Sequence, residues 1–219
     1  MALLNRITPF GEFISVSDKG ALMGNRGQLH NCDKQIVRIR ESRRDWVTCS
    51  LSYKSIRREM MSPGRYTELF FLDEATALAA GHRPCFTCRR EAFHAFNNAW
   101  IAAGLAPAED RLLVKSIDPM LHADRMDRAG RKVTYRSTAV DLPDGAMIEL
   151  DDAPGIAWLL WRERLLRWSP GGYLDSVAIP HQQVTVLTPA ATVGVLGAGY
   201  PIAVHASAME KGEDNGQDW

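Results

Sequence analysis

The chain has 219 residues, 46% of them hydrophobic, with 26 Lys and Arg set against 26 Asp and Glu. That length admits one large domain or two small ones, at about 150 residues per domain. There is apolar material for a core, but no run of about 18 apolar residues, so no membrane-spanning helix is expected.

The zero net charge is unevenly spread. Residues 1–90 hold 15 basic and 9 acidic side chains, a charge of +6, while residues 91–219 hold 11 and 17, a charge of −6. Such a division is expected of a nucleic-acid-facing module joined to an acidic body. The opening Met1-Ala2-Leu3-Leu4-Asn5-Arg6 lacks the apolar core of a secretory signal, and a cytoplasmic protein is expected.

Residues 1–30 read as loop and short strand, because Pro9 and Gly11 interrupt Phe10, Phe13, Ile14 and Val16. Gln35-Ile36-Val37-Arg38-Ile39-Arg40 alternates apolar and polar side chains, the period of a half-buried strand. Residues 46–53 repeat the alternation after Arg43-Arg44-Asp45, so the two segments are predicted to pair as a hairpin with a basic outer face. A third strand is predicted over 66–72.

Asp73 is a good N-cap, since its carboxylate can accept from the free amides ahead of it. The alanine-rich stretch 75–80 favours helix, and Gly81 supplies the left-handed residue that ends it. Residues 91–103 form an amphipathic helix with Phe93, Phe96 and Trp100 on one face, and another short helix is predicted over 117–127. From Lys132 the texture changes. Short apolar segments at 132–139, 145–150, 156–161, 164–168, 183–188, 192–197 and 201–205, separated by Pro and Gly turns, predict a small antiparallel sheet.

The chemistry is concentrated between the first two predicted helices. Cys85-Phe86-Thr87-Cys88 offers two thiolates at a spacing that reaches one ion, and zinc takes four ligands at tetrahedral angles. Cys49 is the third candidate. The fourth is His30 or Cys32, two residues apart and so on one side of a strand, with His30 favoured. Inert core thiols and a redox pair are the alternatives. The redox pair is disfavoured because a helix and Gly81, rather than a strand, precede Cys85.

The run Glu-Ala-Thr-Ala-Leu-Ala-Ala-Gly-His-Arg-Pro-Cys-Phe-Thr-Cys-Arg at 74–89 resembles the second half of the zinc-binding domain of Ada-type DNA methylation-repair proteins. It is also similar to Ada-like modules appended to some nucleases, and the resemblance extends over about 24–90. It implies a zinc site on a small αβ module that contacts the DNA backbone, with Cys85 and Cys88 as ligands. Ada-type domains carry two upstream cysteines three residues apart, one of which accepts a methyl group; here Cys32 and Cys49 are seventeen apart. The nuclease-linked pattern, a histidine followed by a later cysteine, fits His30 and Cys49 better. The resemblance therefore implies binding rather than methyl transfer.

The expected class is α+β, with an Ada-like zinc-binding basic module over 1–104, a β-rich antiparallel region over 105–210 and a loose tail over 211–219. Arg43, Arg44, Arg83, Arg89 and Arg90 are the candidates for phosphate contact, since guanidinium forks match phosphate oxygens and release counterions. A competing reading is a nuclease or repair hydrolase with its chemistry near His122 and Asp124. A third is a zinc-stapled interaction module. The Trp168-Ser169-Pro170-Gly171-Gly172-Tyr173 segment reads as a turn that a ligand could approach.

Overall fold

The structure, a computed structural model, describes residues 2–37, 43–54, 59–107 and 113–212. These residues form an α+β fold with two six-stranded sheets. The first is built from β1 (Arg6–Ile7), β2 (Phe13–Ile14), β3 (Leu22–Asn25), β4 (Val47–Ser50), β5 (Leu69–Phe71) and β6 (Arg83–Pro84), in the order β2-β1-β5-β3-β4-β6. The second is antiparallel throughout. It comprises β7 (Tyr135–Thr138), β8 (Met147–Glu149), β9 (Ala157–Trp161), β10 (Arg164–Ser169), β11 (Gly172–Ala178) and β12 (Gln183–Val186), in the order β11-β10-β9-β8-β12-β7. The helices are α1 (Glu74–Ala79), α2 (Arg90–Ala102), α3 (Leu113–Arg125), α4 (Ala190–Gly197) and α5 (Ala206–Gly212).

All six residues of α1 are buried, so this short helix is packed on every side. Ala75 and Ala79 join Met147, Leu159 and Leu166 of the second sheet. Ala77 packs with Leu69 and Phe71 of the first sheet, and Leu78 with Phe96 and Trp100 of α2. Small alanines let three layers approach one axis, which a leucine-rich helix of the same length would hold apart. Two of the four apolar clusters accordingly combine residues from both sides of residue 104.

The N-terminus of α1 is a buried polar hub. Asp73 Oδ1 accepts from the Thr76 amide at 2.9 Å, the predicted cap, while Oδ2 accepts from the Tyr173 hydroxyl and the His205 amide. Glu74 accepts from the Tyr200 hydroxyl at 2.8 Å and the Ala203 amide at 3.1 Å. The 168–173 turn joins β10 to β11 and is tied to this hub, with Trp168 Nε1 donating to Thr76 Oγ1 at 3.0 Å.

Several expectations change on folding. Among the described residues β4 pairs with β3, with Met23 opposite Cys49, and with β6, not with residues 35–37 of the predicted partner strand. Of the predicted 35–40 strand, Ile36 makes only an isolated bridge to His30, and residues 38–40 lie outside the described residues. The predicted strand at 192–197 is helix α4: Ala191, Val195 and Leu196 have helical spacing toward Phe96 and Trp100, and Asp124 accepts from the Ala191 amide at 2.9 Å. Residues 201–205 are not strand, and β11 was hidden behind its leading glycines. The polar residues 213–219 lie outside the described residues.

Gly81 is required by its geometry. Its φ is +83°, and an added Cβ would stand 2.6 Å from Cδ and 2.8 Å from Cβ of Arg125. Gly81→Ala is expected to cost about 2 kcal/mol through backbone strain and this clash, a fall of roughly 6 °C in Tm for a chain of this size. An unchanged melting curve would show that Arg125 yields freely.

Candidate metal centre

Cys49 comes from β4. Strand alternation turns Thr48 into the core and leaves Cys49 half-buried on the other face. Gly81 then reverses the chain after α1, with the His82 amide donating to Ala77 O at 3.0 Å. The returning β6 runs parallel to β4, with Val47 beside Arg83 and Thr48 beside Pro84. The Cys85 amide donates to Thr48 O at 2.9 Å, so one further step along each strand brings Cys85 beside Cys49.

Residues 85–88 form a tight turn before α2. The Arg89 amide donates to Cys85 O at 3.1 Å, and the Ser50 hydroxyl donates to Cys88 O at 3.1 Å, pinning the turn to β4. The sulfurs of Cys49, Cys85 and Cys88 all lie within 4.8 Å of one another. On a tetrahedral ion with Zn–S of about 2.3 Å, sulfurs sit roughly 3.8 Å apart, so small side-chain shifts would let this cluster hold a metal ion. No fourth His, Cys, Asp or Glu among the described residues joins the group.

The three thiols hold their protons unequally. A hydrogen bond from Cys49 lowers the Cys85 thiol to about 4, and the Thr87 amide also donates to its sulfur. That same hydrogen bond, then burial, pushes Cys49 up, and burial raises Cys88. One thiolate is thus held by its neighbours, ready for a cation.

His30 and Cys32 are not brought to this cluster. His30 is buried with Nδ1 2.7 Å from Thr67 Oγ1 and Nε2 3.2 Å from Ser62 O, so both ring nitrogens are engaged elsewhere. Cys32 is exposed. The shared-face argument for these two residues assumed a strand, whereas 31–34 is a turn.

The arginines divide by direction. Arg83 is 4% exposed and grips Asp118 with both Nε and Nη2, at 2.6 and 2.7 Å. Arg89 runs inward to Glu74 at 2.7 Å and to Thr48 Oγ1 at 2.8 Å. Both guanidiniums are committed to buried carboxylates, which removes Arg83 and Arg89 from the expected phosphate contacts. Arg43, Arg44 and Arg90 are exposed; Arg43 pairs with Asp45, and Arg90 lies over the Phe86 ring at 5.3 Å.

A cavity of about 660 Å³ opens beside the cysteines, walled also by Met23, Tyr53, Tyr66, Glu68 and Phe70. Sequence reasoning missed these residues, because they come from separate strands and loops and carry no motif. The Glu68 side chain accepts from the Met61 amide at 2.8 Å. At the alternative site, Asp124 is spent on the first turn of α4 and His122 Nδ1 sits 3.2 Å from Arg125.

No helix among the described residues is long and apolar enough to cross a membrane. Compared with protein-family models, curated proteins and solved structures, the chain matches none.

Proposed function

We propose that this chain is a zinc protein of Ada-like design that rests on a nucleic-acid backbone without turning it over. The reading is carried by the convergence of Cys49 from β4 with Cys85 and Cys88 from the turn before α2. Three thiolates are soft donors, and zinc is their usual divalent partner in a tetrahedral frame. In this reading the metal ties β4 to the start of α2 and so sets the surface around the Cys-x-x-Cys turn.

That surface supports the nucleic-acid contact. Phe86 is 49% exposed at the tip of the turn, with the exposed Arg90 beside it. An exposed ring with an adjacent guanidinium is a stacking platform for unpaired bases and a contact for phosphate. Lys54, Arg65, Arg43 and Arg44 add exposed positive charge in the same half of the chain.

The metal-loaded protein is expected to shift single-stranded DNA on a gel, with affinity falling steeply as salt rises. Arg90→Glu together with Phe86→Ala should weaken binding by at least tenfold and leave the metal content unchanged. Full retention of binding by the double variant would refute this surface, and absence of any shift at low salt would refute the DNA contact itself.

A second reading, metal-dependent chemistry, has one observation in its favour. Three-ligand zinc with an open position is the arrangement of catalytic centres, and these cysteines border a cavity containing Glu68.

A further inference from the structure

The cavity of about 660 Å³ beside the cysteines has a floor set by strand register. On β5, Leu69 and Phe71 turn into the core with Ala77, so Phe70 and the preceding Glu68 face the other way. Phe70 stands opposite Met23 of β3, and Met23 opposite Cys49 of β4. One rung of the sheet thus carries a ring, a thioether and a thiol. Tyr53, Met60 and Tyr66 stand on the remaining wall.

Glu68 is the exception among the buried carboxylates. Among the described residues four are buried: Glu68, Asp73, Glu74 and Asp118. Asp118 is gripped by Arg83, and Glu74 receives Arg89, Tyr200 and the Ala203 amide. Asp73 accepts from two hydroxyls and two amides. Glu68 is 6% exposed, and among the described residues its side chain has one partner, the Met61 amide on Oε2 at 2.8 Å.

A carboxylate withdrawn from water opposes folding unless a cation or several donors meet it. No Lys, Arg or His among the described residues lines the cavity. Arg6 and Lys54 lie over the Phe70 and Tyr53 rings, at 4.8 and 5.5 Å, but neither lines the cavity or pairs with Glu68. A binding site can retain such a carboxylate, because a cation that enters supplies what the chain does not.

The rest of the lining suits a cation of organic kind. Aromatic faces attract ammonium groups through the ring quadrupole, and rings grouped into a cage recognise them. The Met23 and Met60 thioethers are polarizable and adapt to an apolar body. We propose that this cavity binds a small organic cation, an ammonium group on a compact apolar body. The head lies toward Glu68 and the Tyr53, Tyr66 and Phe70 rings, and the body lies against the two methionines. Glu68 is not a member of the cysteine cluster, so the site needs neither a metal-bound step nor a phosphate contact.

The test uses the full, metal-loaded chain. Benzylammonium and benzyltrimethylammonium are titrated by calorimetry, beside neutral benzyl alcohol and the anion benzoate. At least one cation should bind one-to-one and at least tenfold more tightly than the alcohol or benzoate. Tighter binding of the primary ammonium identifies a head that donates to Glu68; tighter binding of the quaternary one identifies a head held by the rings. Benzyltrimethylammonium has no lone pair for a metal. Binding by the primary amine alone, with the cobalt-loaded protein gaining the absorption of an amine ligand, would be metal ligation and overturns the proposal.

Glu68→Gln keeps an acceptor for the Met61 amide but removes the charge. It should cost the bound cation at least tenfold in affinity and leave the alcohol unmoved. Met60→Lys, at a position 44% exposed on the wall, should weaken the cation several-fold through repulsion and carries the test should Glu68→Gln not fold. Equal binding of alcohol and cations, no binding of either cation, or unchanged cation affinity in the folded variants also overturns the proposal.

Discussion

Cobalt(II) added to the chelator-treated protein is expected to bind one-to-one and to develop thiolate-to-metal charge-transfer absorption, because Cys49, Cys85 and Cys88 already lie within 4.8 Å of one another. Zinc should displace it. Cys85→Ser should remove one thiolate's share of the absorption and weaken metal binding by orders of magnitude, since Cys85 is the thiol lowered to about 4. Cys49 and Cys88 are both pushed up, so uptake near neutral pH should release about two protons, and affinity should rise about a hundredfold per pH unit there.

Metal bound to the folded state alone stabilises it by about 4 kcal/mol at a thousandfold excess over Kd, roughly 10 °C in Tm for this size. A chelator that leaves the melting curve untouched would count against the centre. The same cobalt derivative separates the two functional readings. A small thiol that alters the d–d bands marks an exchangeable fourth position, as the chemical reading requires; bands that ignore it mark a closed structural site.

Glu74→Ala is the second large effect expected. Glu74 is 1% exposed and receives the Arg89 guanidinium at 2.7 Å, the Tyr200 hydroxyl and the Ala203 amide. Its removal strands a buried cation and leaves two donors unsatisfied, which costs about 4 kcal/mol. Denaturant unfolding should show this as a lower midpoint at unchanged slope. Because Arg89 follows Cys88 directly and also donates to Thr48, the variant should bind metal more weakly as well. Joint replacement of Glu74 and Arg89 by leucine should recover much of the loss, since the unpaired charge is then gone. A single-variant loss below about 1 kcal/mol would deny the hub its role.

Much of the metal corner was visible as local chemistry. The Asp73 cap, the alanine run, Gly81 and the Cys-x-x-Cys spacing are short-range signals, and α1, the left-handed glycine and α2 all occur where they were expected. Cys49 was legible as an upstream cysteine on a predicted strand, which is β4. His30 misled because a histidine near cysteines looks like a ligand, and nothing local revealed that Thr67 and Ser62 occupy both its nitrogens. Arg83 and Arg89 misled likewise. Their carboxylate partners, Asp118 and Glu74, lie 35 and 15 residues away in sequence.

The segment 192–197 shows the same division from the side of the fold. Val, Leu and Thr favour a strand, yet contact with Phe96 and Trp100 and a cap from Asp124 make it a helix, because packing outweighs a weak propensity. Turn residues, caps and thiol spacing act within a few bonds and can be read from the letters in order. Which arginine meets a carboxylate, which histidine is satisfied and where a cavity opens depend on partners that only chain closure brings near. Those choices are made by burial, since a charge taken out of water must find its counterpart wherever the fold has placed one.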